Sequence, residues 1–297
     1  ARVISFAIVQ ICAGFIFYII QSIRGKTFFN KEFWRFALSF SIPLIPHYLS
    51  QIVLGQSDRI MIDKMIGASE AAIYGVSYNL AAVITLFVNA INNSFVPTLY
   101  ESLKSKKCEN IKKVAAFLAI FMAGLICVFM LFGPEILTVF VAPEYIKAKW
   151  IFPPVAASIF FTFIYLFYVN VEFYFEKTNY VMFVSVFGAV VNIILNLVFI
   201  KKYGFIAAGY TTVFSYIVFC FAHYLLYKYI AKKEKTGNVY NDSIFMILGI
   251  AVLAFMLICI LLYKFNIVRY ILIALIAVFA VIFRKKLLYA FKKALNK

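Results

Sequence analysis

His47, Gln51 and Asp58 are separated by four and then seven residues. At about 100° per residue they fall within roughly 40° of one another on one face of a helix. They sit in the stretch Pro43 to Gly67, PLIPHYLSQIVLGQSDRIMIDKMIG, whose other residues are mainly apolar. A polar stripe on such a rod is costly to expose to lipid, so it is expected to face protein or a water-filled path. Imidazole and amide groups there can hydrogen-bond hydroxyls or phosphate. Arg59 and Lys64 can attract an anion, and Arg offers a two-pronged fork to phosphate oxygens. The bland alternatives stand beside these. Ser57-Asp58 caps a short amphipathic helix, Arg59 to Ile66, closed by Gly67. Arg59 pairs with Asp63 at i,i+4, and His47 and Gln51 pair with asparagines of the next helix.

That next helix carries a second stripe. Tyr78, Thr85, Asn89 and Asn92 recur at helical spacing, with Asn93 beside them. The short connection places the two helices antiparallel. The hydrophilic groups at positions 47, 51, 58, 85, 89 and 92 are expected to converge on one wet hollow. The candidate substrate-binding residues are His47, Gln51, Arg59, Lys64, Asn89 and Asn92.

The elements that must position them follow from composition. The 297 residues are 65% hydrophobic and 14% charged, with mean hydropathy +0.95. That is more apolar surface than a soluble core of this size can hide, which predicts a multi-pass membrane protein. Continuous apolar runs near the ~20 residues that cross hydrocarbon favour helices over a barrel. Nine spans are expected: Val3–Ile23, Phe36–Ser57, Glu70–Pro97, Val114–Phe132, Trp150–Phe173, Tyr180–Ile200, Phe205–Tyr229, Ser243–Tyr263 and Ile267–Phe283. Ser69 is read as the cap of the third and Pro97 as its end. A half-helix is expected between the fourth and fifth. Aromatic side chains at the ends, among them Phe33 and Trp34 in the basic linker 24–35, suit the membrane interface.

The net charge of +17 lies mostly in loops, where it orients the chain and attracts anionic headgroups rather than nucleic acid. With nine spans, 20 of the 29 Lys and Arg fall on one side, in residues 24–35, 101–113, 177, 228–235 and 284–297. The positive-inside rule puts that side and the C-terminus in the cytoplasm. Five scattered cysteines have no metal-type spacing and read as small hydrophobes. Asn192 and Asn196, one turn apart, read as helix–helix partners. Glu172 and Glu176 read as solvated at an interface, with cation binding as the alternative, and His223 reads as packed and satisfied. No glycine loop for phosphate, paired carboxylates, zinc spacing or nucleophile elbow occurs, so no enzyme, cofactor or metal is expected.

SDRIMIDKMIGASEAAIYGVSYNLA, followed by NSFVPTLYE, and NIILNLVFIKKYGFIAAGYTTVFSY resemble the polysaccharide flippases of the multidrug/oligosaccharidyl-lipid/polysaccharide exporter superfamily. These are the O-antigen and teichuronic-type exporters. Asp58-Arg59 matches an aspartate-arginine pair at the outer end of the first helix of the second lobe. Lys201 stands where proline is common in the family. The resemblance implies an all-α, MATE-like two-lobe transporter of twelve to fourteen spans. Residues 1–23 would then be the last helix of a first lobe, 24–35 the cytoplasmic linker, 36–230 a six-helix second lobe, and 231–297 two extra helices and a basic tail. About five spans would be missing upstream, and this piece alone would not transport. The implied partners are a lipid-linked oligosaccharide on an isoprenoid pyrophosphate carrier, membrane lipids and the missing N-terminal lobe. The implied location is a bacterial plasma membrane.

Two rivals stand against it. A cation-coupled drug or small-solute antiporter of the same superfamily would want acidic residues inside the spans, where only Glu172 comes near. A membrane glycosyltransferase or polysaccharide polymerase would want a large catalytic loop.

Overall fold

The computed structural model describes residues 2–25 and 29–276, together with 278, 282 and 284. Its regular structure among these residues is all helical, and it divides into two compact units, 1–43 and 44–297. In the first, α1 (Arg2–Gly25) is followed by α2 (Lys31–Ser41). Asn30 starts α2 as an N-cap, its Oδ1 accepting from the backbone N–H groups of Glu32 (3.0 Å) and Phe33 (3.2 Å). Helix therefore begins inside the stretch read as a linker.

The second unit is built from α3 (Leu44–Met65), α4 (Ala68–Lys104), α5 (Glu109–Leu131), the short α6 (Gly133–Phe140), a 3-10 helix (Pro143–Trp150), α7 (Phe152–Tyr174), α8 (Thr178–Tyr203), α9 (Ile206–Lys233) and α10 (Asp242–Leu262). A short apolar helix, α11 (Asn266–Ile276), follows. Eight helical stretches among the described residues are long and apolar enough to cross a membrane, Lys31–Met65 counting as one. The expected ninth span is described only as far as α11 and a few later residues, and most of the basic tail lies outside the described residues.

Three sequence expectations fail on helix ends. Ser57-Asp58 does not cap a new helix, because α3 runs unbroken through both residues and ends at Met65. Nor does Pro97 end the third span: α4 carries it inside and continues to Lys104. Proline removes one ladder donor, which the rest of a 37-residue helix outweighs. The cap of α4 is Gly67 at φ 152°, in place of Ser69.

α7 lies at the centre of this unit and packs against α4, α5, α9 and α10, while α8 bridges α3 and α9. The faces follow the logic of lipid, where close packing and hydrogen bonds hold helices together. Along α8 the buried side is Ser185, Gly188, Ala189, Asn192 and Asn196, whereas Phe187, Ile194, Leu197 and Val198 are exposed. Gly188 is required by this contact: a Cβ there would lie 2.5 Å from Cδ2 of Phe219 on α9. The loop from α9 to α10 is tied down as well. Tyr227 Oη accepts from Val239 N (2.9 Å) and Tyr240 N (3.4 Å), and Tyr240 donates to the Phe167 carbonyl of α7 (2.8 Å). Lys228 of α9 reaches Asp242 of α10 at 2.8 Å.

Gly188→Ala is expected to lower stability by about 1–3 kcal/mol, the range for overpacking a filled interior. Gly124, where a Cβ meets nothing within 4 Å, is the control. Gly124→Ala should be neutral or slightly stabilising. Thermal unfolding of the two variants in detergent separates these outcomes.

Candidate functional site

Asp58 is fully buried in α3, and its carboxylate receives three hydrogen bonds from neutral donors on three other helices. Tyr74 of α4 and Thr212 of α9 each donate to Oδ2 at 2.5 Å, and Asn196 of α8 donates to Oδ1 at 2.5 Å. Asn196 is itself held by Thr211, whose hydroxyl donates to its Oδ1. Its amide also reaches Asn192 Oδ1 at 3.3 Å, which accepts from Ser57 at 2.9 Å. The asparagines are helix–helix partners, as their spacing suggested. Asp58 is an interior acid rather than the cap that Ser-Asp before a short amphipathic run resembles.

Two of the three donors are hydroxyls, which can also accept. Thr212 has the Ala208 carbonyl as a second target at 2.7 Å, and Tyr74 has Thr212 Oγ1 at 3.3 Å. If Oδ2 carries a proton, both hydroxyls can turn and every group remains bonded. The cluster accommodates a carboxylate or a carboxylic acid with the same heavy-atom positions.

A second buried chain links four helices. His47 Nδ1 of α3 lies 2.6 Å from Ser185 Oγ of α8, which lies 3.4 Å from His223 Nε2 of α9. His223 Nδ1 lies 2.8 Å from Glu172 Oε2 of α7, and Glu172 Oε1 has no partner. All four residues are buried. With Glu172 ionised, the tautomers follow: His223 donates from Nδ1, its Nε2 accepts from Ser185, and Ser185 accepts from His47. A proton entering at His47 can shift along these bonds to the carboxylate. Glu172 is thus not a solvated interfacial group. Its partner is 51 residues away in sequence, which no local pattern reveals. Glu176 is exposed at φ 56°.

The remaining candidates are spread over the surface of the same helices. Arg59 turns toward α4 instead of Asp63, donating from Nη2 to Asn79 Oδ1 (2.7 Å) and the Gly75 carbonyl (3.3 Å). Its Cζ lies 5.0 Å from the Tyr78 ring centroid, and Nε has no partner. Gln51 is half-buried with Nε2 unpartnered, and Lys64 is exposed. Asn92 accepts from Asn170 of α7 at 2.8 Å, while Asn89 and Asn93 are exposed. Thr85 borders a cavity of about 70 Å³ with Tyr78, Ser158, Thr162 and Tyr216. The six stripe residues therefore do not share one hollow: His47 and Asp58 belong to two buried networks, and the asparagine face of α4 lies uncovered. No group of three or more His, Cys, Asp or Glu stands ready for a metal ion among the described residues.

Asp58→Asn should fold about as stably as the native chain, since an amide at Oδ2 can donate to both hydroxyls and the other oxygen still accepts from Asn196. Asp58→Ala strands the donors that converge there, at about 1–3 kcal/mol for each left without a partner. Melting temperatures in one detergent, measured for both variants, give the comparison. Equal losses would show that the charge itself holds the cluster.

Comparison with known proteins adds four likenesses. Residues 1–103 match the family model described as "Polysaccharide biosynthesis protein". The chain is 27% identical over 160 residues to an Lsg locus protein of Haemophilus influenzae, covering 53% of this chain and 40% of that protein. It is also 27% identical over 198 residues to a second membrane protein of the same bacterium, covering 64% of this chain and 48% of the relative. The chain thus spans about half the length, or less, of these relatives. Among solved structures, it is similar to a multidrug resistance MATE family transporter of the MOP superfamily in its outward-facing conformation. That likeness has a TM-score of 0.54 and 20% identity, and covers 64% of this chain and 44% of the other. This is a multi-pass membrane protein, helical in its described residues, that shares part of the fold of a MATE-type transporter.

Proposed function

We propose that this chain supplies one lobe of a flippase that moves a lipid-linked oligosaccharide, on an isoprenoid pyrophosphate carrier, for cell-surface polysaccharide export. The observation that carries it is the uncovered face of α4, where Asn89 and Asn93 stand exposed within a membrane-length helix. Amides left open to hydrocarbon are costly, so that face belongs to a water-filled path or to a second lobe across it. The family model matched by residues 1–103 supports the substrate class. In this reading Asn89 and Gln51 meet sugar hydroxyls, while Arg59 and Lys64 draw in the pyrophosphate. His47 and Asn92 brace the helices behind them through Ser185 and Asn170. The lipid tail stays in the bilayer while the lobes rock about the headgroup. The C-terminus faces the cytoplasm.

In the full-length protein, Arg59→Ala and Lys64→Ala are each expected to lower surface polysaccharide roughly tenfold, as for loss of one charged hydrogen bond. Protein level should not change, because Lys64 is exposed and Arg59 lies at the edge of the core. Native export by both variants would end this reading.

A cation-coupled antiporter is the second reading, and Asp58 and Glu172 favour it: both are buried carboxylates within spans. Its signature is proton-driven efflux of a small solute from vesicles, lost in Asp58→Asn and Glu172→Gln. Under the flippase reading those vesicles show no such efflux.

A further inference from the structure

Arg269 of α11 is almost completely buried, yet only one edge of its guanidinium is used. Nη2 pairs with Glu135 of α6, while Nε and Nη1 have no partner, nor does Glu135 Oε2. Arg269 Cζ lies over two rings, 5.5 Å from the Tyr263 centroid and 5.2 Å from the Tyr270 centroid. Arg269 borders a cleft of about 310 Å³ that Lys149, Glu135, Thr138 and Asn266 also line. Two fixed cations against one carboxylate leave this cleft with an excess positive charge. An unpaired buried guanidinium edge is expensive, and the donors it leaves over suit a tetrahedral oxyanion.

The surroundings say what kind of anion. The cleft lies where α5 and α10 end and α7 begins, at the tips of membrane-length helices. Val139, which lines the cleft, is 76% exposed, and Phe140 and Ile267, next in sequence to the lining residues Val139 and Asn266, are 74% and 77% exposed. Trp150, with Lys149 Nζ 5.0 Å from its ring, and the two tyrosines complete an interfacial belt. Free inorganic phosphate gains nothing from such apolar neighbours, whereas a phosphate attached to acyl chains does.

We propose that this cleft is a binding site for the phosphate of an anionic phospholipid headgroup. Arg269 and Lys149 hold the phosphate oxygens, Glu135 sets how much positive charge is left over, and the acyl chains lie along α6 and α11. The site is separate from the α3–α4 face and does not depend on what that face carries.

Arg269→Gln strands Glu135 and endangers the local fold, so the test rests on Lys149→Gln and Glu135→Gln, both at partly exposed positions. The chain is stripped of lipid in detergent and titrated with phosphatidylglycerol, with uncharged diacylglycerol and with inorganic phosphate, and binding is read by native mass spectrometry and thermal shift. Phosphatidylglycerol should bind saturably and the other two should not. Lys149→Gln should weaken it about threefold to tenfold, and Glu135→Gln should tighten it about threefold, in line with single charges at a partly exposed site. If Glu135 and Arg269 formed only a structural pair, Glu135→Gln would lower the melting temperature without tightening lipid. That result overturns the proposal, as does phosphatidylglycerol binding that is absent or unchanged in both variants. Inorganic phosphate binding as well as the lipid, with the same response to the variants, would overturn the lipid assignment.

Discussion

A carboxylate buried among membrane helices must be surrounded by donors or it will not stay there, and Asp58 is the point at which this chain meets that demand. Its partners come from α4, α8 and α9, so one side chain of α3 constrains the positions of three other helices. No cation among the described residues bonds to it. The adjacent Arg59 points to α4 and bonds there to a carbonyl and an amide. Satisfying Asp58 with neutral groups fixes geometry without locking in a salt bridge. It also leaves room for a proton, since the hydroxyls that donate can accept. The His47–Ser185–His223–Glu172 chain applies the same idea with titratable groups in place of hydroxyls and amides.

These two networks explain why the helices are arranged with polar and small residues inward and large apolar ones outward. In water, burying Phe187, Ile194 and Leu197 of α8 would drive folding, but in lipid there is no gain in hiding them. Specificity of packing then falls to close approach, as at Gly188 against Phe219, and to directional bonds such as those of Asn192 and Asn196. α7 is the exception, buried on nearly every side because its neighbours surround it.

The class and the first eight spans in their order were legible in the sequence, because apolar run length measures a bilayer directly; the expected ninth runs beyond the described residues. The pairing role of Asn192 and Asn196 was legible too, as amides one turn apart in a greasy helix have few other uses. Helix ends were not. Ser57-Asp58 carries the local signal of a cap, and only the donors on α4, α8 and α9, far away in sequence, make it an interior anchor. Pro97 likewise signals a stop that a long helix overrides. Glu172 looked interfacial because it lies near a span's end and beside Glu176, whereas His223 sits on another helix. The residues of the stripes at positions 47 to 92 all lie within α3 and α4 but turn to different surroundings. Which helix faces stay open is a property of the assembled bundle, and periodicity within one segment does not encode it.

The tether between α9 and α10 has a mechanical consequence. Tyr227 grips the connecting backbone at two amides, Tyr240 reaches from that loop to the Phe167 carbonyl, and Lys228 clasps Asp242. A linker held at this many points cannot act as a swivel. Any tilt of α7 and α9 sweeps α10 along as rigid freight, so the patch of bilayer displaced during movement is wider than the central helices alone would disturb. Membrane thickness and stiffness thereby gain leverage on how easily the bundle moves.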